Sequence, residues 1–180
     1  QKIADLDHPL ERQEIGMCEF HCALARREVF DRIGLLDEKM WSSKEHIDFC
    51  MCVKRAGGAV WFEPTSVITY VFPCRARPMH PEDWPFFSLR WSNAYGRRSL
   101  EHFMRKWDLR MSPDYVSSKK MIYIMRRWQG LLIPLMRRVP ILNRSDWVVK
   151  RTARALMFPE RLANEFLVAR QDRRLRRLRA

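Results

Sequence analysis

No stretch of this 180-residue chain is long and apolar enough to span a bilayer. In the most apolar segment, Met121 to Leu142, the longest uncharged run is Trp128 to Met136, less than half of the roughly 20 residues that a spanning helix needs. A protein that does not cross a membrane is expected. No secretory leader is visible, because Gln1 to Asp7 is polar and charged, and none is expected. The chain does not begin with methionine, which suggests a fragment or a processed product. Its five cysteines are an odd number, and four of them fall where a core strand or helix is expected, which argues against a secreted disulfide framework and for a reducing, cytoplasmic setting. Acid is scarce in one half only. Residues 97–180 hold 22 Lys/Arg against 7 Asp/Glu, a net of +15, whereas residues 1–96 hold 12 against 14, a net of −2. The first half therefore reads as a globular core and the second as a cationic surface whose partners are anionic. Hydrophobic residues at 47% exclude general disorder.

The most informative stretch runs from Ser42 to Pro64. Ser42 and Glu45 have the Ser-x-x-Glu spacing of a capping box, which predicts a helix starting at about Ser43. Ile47, Cys50 and Met51 share one face while Phe49, Cys52 and Val53 fill the other, so the helix is apolar nearly all round and is expected to be buried. Gly57 and Gly58 are placed to stop it, and Ala59 to Phe62 reads as a buried strand closed by Pro64. Glu45, His46 and Asp48 thus crowd the first turn of a buried helix, an unusual place for three ionisable groups.

Elsewhere, Asp5-Leu6-Asp7 offers carboxylates suited to a divalent cation, or simply an exposed turn before Pro9. Gly16 to Arg26 alternates loosely and suits a strand; Arg27 to Gly34 follows as a short helix with Val29, Phe30 and Ile33 inward, and Leu35 to Glu38 as a turn. Cys74 to Pro85 is a proline-rich loop. Ser99 to Trp107 is amphipathic, with Leu100, Phe103, Met104 and Trp107 on one face. Beyond Pro113, the segments Met121–Arg127, Trp128–Arg138, Trp147–Leu156 and Asp172–Arg179 mix apolar residues with paired arginines and read as helices.

Three blocks resemble a known family. The run from Cys18 to Glu38, containing Arg27-Glu28-Val29-Phe30 and Ile33-Gly34-Leu35-Leu36-Asp37-Glu38, then Glu45-His46-Ile47-Asp48-Phe49-Cys50, then Ala56 to Pro64, is similar to the second half of family 2 glycosyltransferases. The likeness covers residues 15–75 and extends more weakly to Ser99–Trp107. It implies an α/β fold: a partial GT-A (Rossmann-like) domain followed by basic C-terminal helices, with residues 1–110 as the acceptor-side half and 111–180 as a basic amphipathic extension. It implies inverting transfer of a sugar from a nucleotide-sugar donor to the hydroxyl of an unknown acceptor. The donor-binding half, and the ligands for a divalent Mn or Mg cation, would lie upstream of this chain. Asp5-Leu6-Asp7 is too close to Glu45 to be that motif.

Within the resemblance, the catalytic base is His46 or Asp48, with Glu45 positioning it or capping the helix. Where many members carry aspartate this chain has His46. An imidazole, with a reference pKa of about 6.5, removes a proton from an attacking hydroxyl well at neutral pH; the helix N-terminus disfavours its charged form while Glu45 and Asp48 favour it. Asp48 shares a helical face with Glu45 and could instead bond the helix terminus or an arginine. Trp84, Arg90 and Trp91 are candidate substrate-binding residues, with core packing as their plainer role. Tyr70 stands where some relatives carry a histidine metal ligand, so no metal ligands are assigned in this chain. Cys18, His21, Cys22, Cys50 and Cys52 lie in apolar segments and read as small buried hydrophobes rather than a zinc site. The alternative to an enzyme is a non-catalytic basic module. Residues 121–180 suit an anionic membrane surface; nucleic acid is disfavoured, since no recognisable module for it accompanies the arginines.

Overall fold

The computed structural model describes residues 9–69 and 80–179. Among the described residues, helix makes up 64% and strand 3%. The α/β, Rossmann-like GT-A expectation is therefore overturned. Among the described residues the sheet has two strands only, β1 (Gln13–Glu14) and β2 (Trp61–Phe62), antiparallel with Gln13 opposite Phe62 and Glu14 opposite Trp61. The Ile15 amide extends the ladder by donating to the Val60 carbonyl at 2.8 Å. Trp61 is exposed, whereas the strands of a parallel α/β sheet are covered on both faces. Gly16 to Arg26, expected as a strand, forms no ladder. Its Cys18 amide donates to the Cys50 sulfur at 3.4 Å, so the loose alternation serves contacts with a helix. Asp5-Leu6-Asp7, Tyr70 and the first half of the Cys74–Pro85 loop lie outside the described residues.

By its contacts the chain divides into two compact units, one built on Gln1–Glu38 and Lys44–Val71, the other on Lys39–Ser43 and Phe72–Ala180. In the first, α1 (Arg27–Ile33) ends where Gly34 takes φ of 79° and donates its amide to the Phe30 carbonyl. Val29, Phe30 and Ile33 are its half-buried residues, as their spacing predicts. Helix α2 (Glu45–Arg55) is preceded by Lys44 in the left-handed region, with φ of 83° and no side-chain cap. The capping box is thus corrected: the Ser42 hydroxyl donates to the Arg90 carbonyl instead, and the Ser42 amide donates to Ser99 Oγ at 3.0 Å. No residue from Glu45 to Val53 is fully exposed, in keeping with the all-round apolar pattern. The glycine stop forms as a Schellman arrangement. Gly57, at φ of 76°, donates to the Lys54 carbonyl and Gly58 to that of Val53, both at 2.9 Å.

The second unit is helical: α3 (Trp84–Arg90), α4 (Asn93–Trp107), α5 (Pro113–Arg127), α6 (Ile133–Arg137), α7 (Asp146–Ala155) and α8 (Met157–Arg179). Ser92 and Ser112 cap α4 and α5 by accepting from the amides of Tyr95 and Tyr115 at 3.1 and 3.2 Å, and Pro113 suits the first turn it occupies. Between α5 and α6, Trp128–Leu132 widens into a π-helical turn, with the Ile133 amide reaching back to the Trp128 carbonyl. Pro134 has no amide to give to a tighter ladder there. Leu132, Met136, Val149 and Ala153 form a core cluster, bordered by Trp128, Ile133, Leu142, Leu156 and others. Leu100 and Phe103 bury the apolar face of α4 that the sequence predicts.

Two contacts in this unit make predictions. A Cβ on Gly96 would lie 2.2 Å from Tyr123 Cε2. Mid-helix Gly→Ala ordinarily stabilises by about 1 kcal/mol; here overpacking reverses the sign, and Gly96→Ala should lower the urea midpoint by an equivalent of about 1–3 kcal/mol. A raised midpoint would refute the contact. The Arg98 guanidinium donates both of its terminal nitrogens to Asp172, at 2.8 and 2.6 Å. Those hydrogen bonds, and then the charge itself, hold the Asp172 carboxyl below its ordinary 3.8. A depressed carboxyl stabilises the fold above its unfolded pKa and loses that contribution as pH falls through its folded one. The stability gap between the protein and its Asp172→Asn variant should therefore be constant near neutrality and close as pH drops below 3.8, read by thermal unfolding across that range.

Candidate functional site

The first turn of α2 brings Glu45, His46 and Asp48 together, as the sequence predicts. Their surroundings differ. Asp48 is 3% exposed, and its amide donates to the Lys44 carbonyl at 2.8 Å. Glu45 is half-buried and caps nothing in a Ser42 box. His46 keeps 18% of its side chain exposed and sets Nε2 3.3 Å from Oε1 of Glu19, itself 60% exposed. A base must reach the proton it takes, and of the two expected bases His46 is the more accessible.

Glu19 is the functional candidate that sequence reasoning missed. It precedes His46 by 27 residues, in a segment expected to be strand, and no spacing rule links them. The turn that replaces that strand delivers it. A carboxylate beside Nε2 favours the proton on that nitrogen, which leaves Nδ1 as the basic one. The ring is held apolar side on: Phe20 meets His46 edge to face at 6.1 Å and Phe49 at 5.7 Å, and Phe49 packs on Phe30 at 5.5 Å. The arrangement suits an oriented acid–base imidazole at the margin of an aromatic cluster.

Cys18 and Cys50 meet at the same level of α2, with sulfurs 3.7 Å apart. Burial first, and then the Cys50 sulfur, push the Cys18 thiol up to about 11, so it stays protonated at neutral pH and is a poor nucleophile. Cys18, Cys22, Cys50 and Cys52 are all free thiols; Cys22 is exposed, at odds with the expectation of a buried hydrophobe. Among the described residues no group of three or more His, Cys, Asp or Glu side chains is placed to hold a metal ion. These residues do not fit the divalent cation that the resemblance implies.

Trp84, Arg90 and Trp91 belong to the second unit, whereas the α2 triad belongs to the first. Trp91 is a packing residue there. The guanidinium of Arg126 lies 5.3 Å from its ring centre and that of Arg90 5.7 Å, Tyr123 packs on it at 5.9 Å, and its carbonyl accepts from buried Arg127. A ring engaged by two cations and a second aromatic is poorly offered for stacking on a sugar. No helix among the described residues is long and apolar enough to cross a membrane. Comparison of the chain with protein-family models, with curated proteins and with solved structures finds no match in any of the three.

Proposed function

We propose that this chain is the acceptor-side part of an inverting glycosyltransferase related to family 2, working in the cytoplasm, and that His46 is its general base. One observation carries the reading: His46 in the first turn of α2, with Glu19 against one ring nitrogen at 3.3 Å. The three sequence blocks between Cys18 and Pro64 support it. In the proposed step the acceptor hydroxyl attacks the anomeric carbon of a nucleotide-sugar donor. The new oxygen–carbon bond forms as the bond to the nucleotide's phosphate oxygen breaks, the nucleotide leaves with that electron pair, and the hydroxyl proton passes to His46 Nδ1. Glu19 holds the ring and stabilises the imidazolium that forms. Asp48 is withdrawn from solvent and is not assigned the base role. The reading does not require a Rossmann-like sheet in this chain; donor binding, and any Mn or Mg ion used with it, belong to residues outside it.

The test is acceptor-dependent release of nucleotide by the full-length protein, with a panel of sugar nucleotides as donors. Turnover of at least one donor is expected, with His46→Ala strongly impaired. Absence of turnover across the panel removes the transferase reading, whereas turnover at an undiminished rate in His46→Ala removes only the base assignment.

A further inference from the structure

The outer side of α8 carries Phe158, Leu162 and Phe166, which are 70%, 53% and 60% exposed. At steps of four residues they form one apolar row, while Asn164 and Val168 on the opposite side are buried against the unit. Helical spacing continues the row into Arg173 and Arg177, both exposed. On α7 Trp147 is exposed as well, with the Arg151 guanidinium 5.1 Å from its ring centre.

The charges of this region are sorted. Each carboxylate between Asp146 and Arg179 accepts from an arginine: Asp146 from Arg137 and Glu160 from Arg127 at 2.7 Å, Glu165 from Arg161 at 3.0 Å, and Asp172 from Arg98 at 2.6 Å. Its acid is thereby matched, yet Arg151, Arg154, Arg170, Arg173, Arg174 and Arg177 remain exposed along α7 and α8. The surface combines a row of large apolar side chains with an excess of cations.

We propose that this face of α7 and α8 seats the protein on an anionic lipid surface. Phe158, Leu162 and Phe166 enter the boundary between headgroups and acyl chains, and the arginines engage lipid phosphates and carboxylates. Charge complementarity selects this occupant. A second copy of the chain would bring the same cationic surface and be repelled. A nucleic acid would satisfy the arginines but press its phosphates against three exposed apolar side chains. A bilayer offers anions at its surface and hydrocarbon immediately beneath. The inference is independent of the chemistry at His46.

Co-sedimentation of the intact protein with vesicles tests it, using phosphatidylcholine alone and phosphatidylcholine with about 30% phosphatidylserine, a composition chosen for its surface potential. Strong binding to the anionic vesicles and weak binding to the neutral ones is expected, falling at least tenfold as salt rises from about 0.1 to about 1 M. The F158S/L162S/F166S variant should lose about 100-fold or more in partitioning. R170E/R173E/R174E should lose a similar amount while leaving the apolar row intact, and circular dichroism checks that each retains its helices. Equal binding to both vesicle types overturns the proposal, as does binding that survives both sets of substitutions. So does an absence of vesicle binding accompanied either by self-association that the serine variant abolishes or by tight binding of RNA or DNA.

Discussion

Replacing Arg127 by methionine should destabilise the helical unit by about 3–5 kcal/mol, the range for breaking a buried ion pair from one side. Arg127 is an arginine almost without solvent, its side chain 3% exposed and that of its partner Glu160 12%. Its Nε donates to Glu160 Oε1 at 2.7 Å and its NH1 to the Trp91 carbonyl. One guanidinium at the end of α5 therefore ties α8 to the turn between α3 and α4. Removing it strands a carboxylate and a carbonyl where water reaches poorly, and each loses its partner while keeping its desolvation cost. Glu160→Leu alone should be similarly harmful, since it strands the cation. Replacing both together should recover most of the loss, because a well-packed apolar pair carries no desolvation penalty. Urea unfolding followed by far-UV circular dichroism measures all three variants. Single-variant losses below about 1 kcal/mol, the scale of an exposed pair, would mean that this bridge is solvated.

The second large effect is catalytic. On the proposed transferase reading, His46→Ala should lower kcat of the full-length protein by about 100- to 10,000-fold, the usual contribution of a positioned acid–base group. The donor KM should move little, because the proposal assigns donor binding to other residues. Glu19→Gln removes the charge that stabilises the imidazolium but keeps a group able to accept from Nε2, so it should cost about tenfold. The combination separates positioning from mere folding. If Glu19 acts through His46, then Glu19→Gln in the His46→Ala background should change nothing further, a non-additivity expected of residues that work as a unit. Fully additive losses would assign Glu19 a separate task, and an unaltered rate in Asp48→Asn alongside a lost rate in His46→Ala would favour the histidine over the aspartate.

Much of the helical part was legible residue by residue. The Val29, Phe30, Ile33 spacing of α1, the Leu100, Phe103 face of α4 and the glycine stop at Gly57 all emerge in the structure where their chemistry predicts. Each depends on residues within one or two helical turns of one another. The failures involve longer reach. Gly16 to Arg26 has the composition of a strand, but a strand needs a neighbouring backbone, and this segment finds the Cys50 side chain on α2. The resemblance carried the rest of the α/β expectation, and the two-residue pairing of β1 with β2 overturns it. The Ser42–Glu45 capping box failed because the Ser42 hydroxyl has a nearer claim from the Arg90 carbonyl, 48 residues away. The candidate site was half legible: its histidine stood out in the first turn of α2, its carboxylate did not.

The sequence by itself determined that α1, α2, α7 and parts of α4, α5 and α8 are helical, though not α3 or the first half of α8, and that the cationic excess falls in the second half, because turn-scale sterics, apolar period and charge are properties of neighbouring residues. Only the tertiary structure decided which charges meet. Arg98 lies 74 residues from Asp172 and Arg127 33 from Glu160, and Glu19 reaches His46 from a segment that no periodicity assigns to it. Such pairs form when packing holds the two backbones within reach of their side chains, and of the three only Arg127–Glu160 is also shut off from water. That is a property of the assembled core, to which no single stretch of chain contributes enough to reveal the outcome.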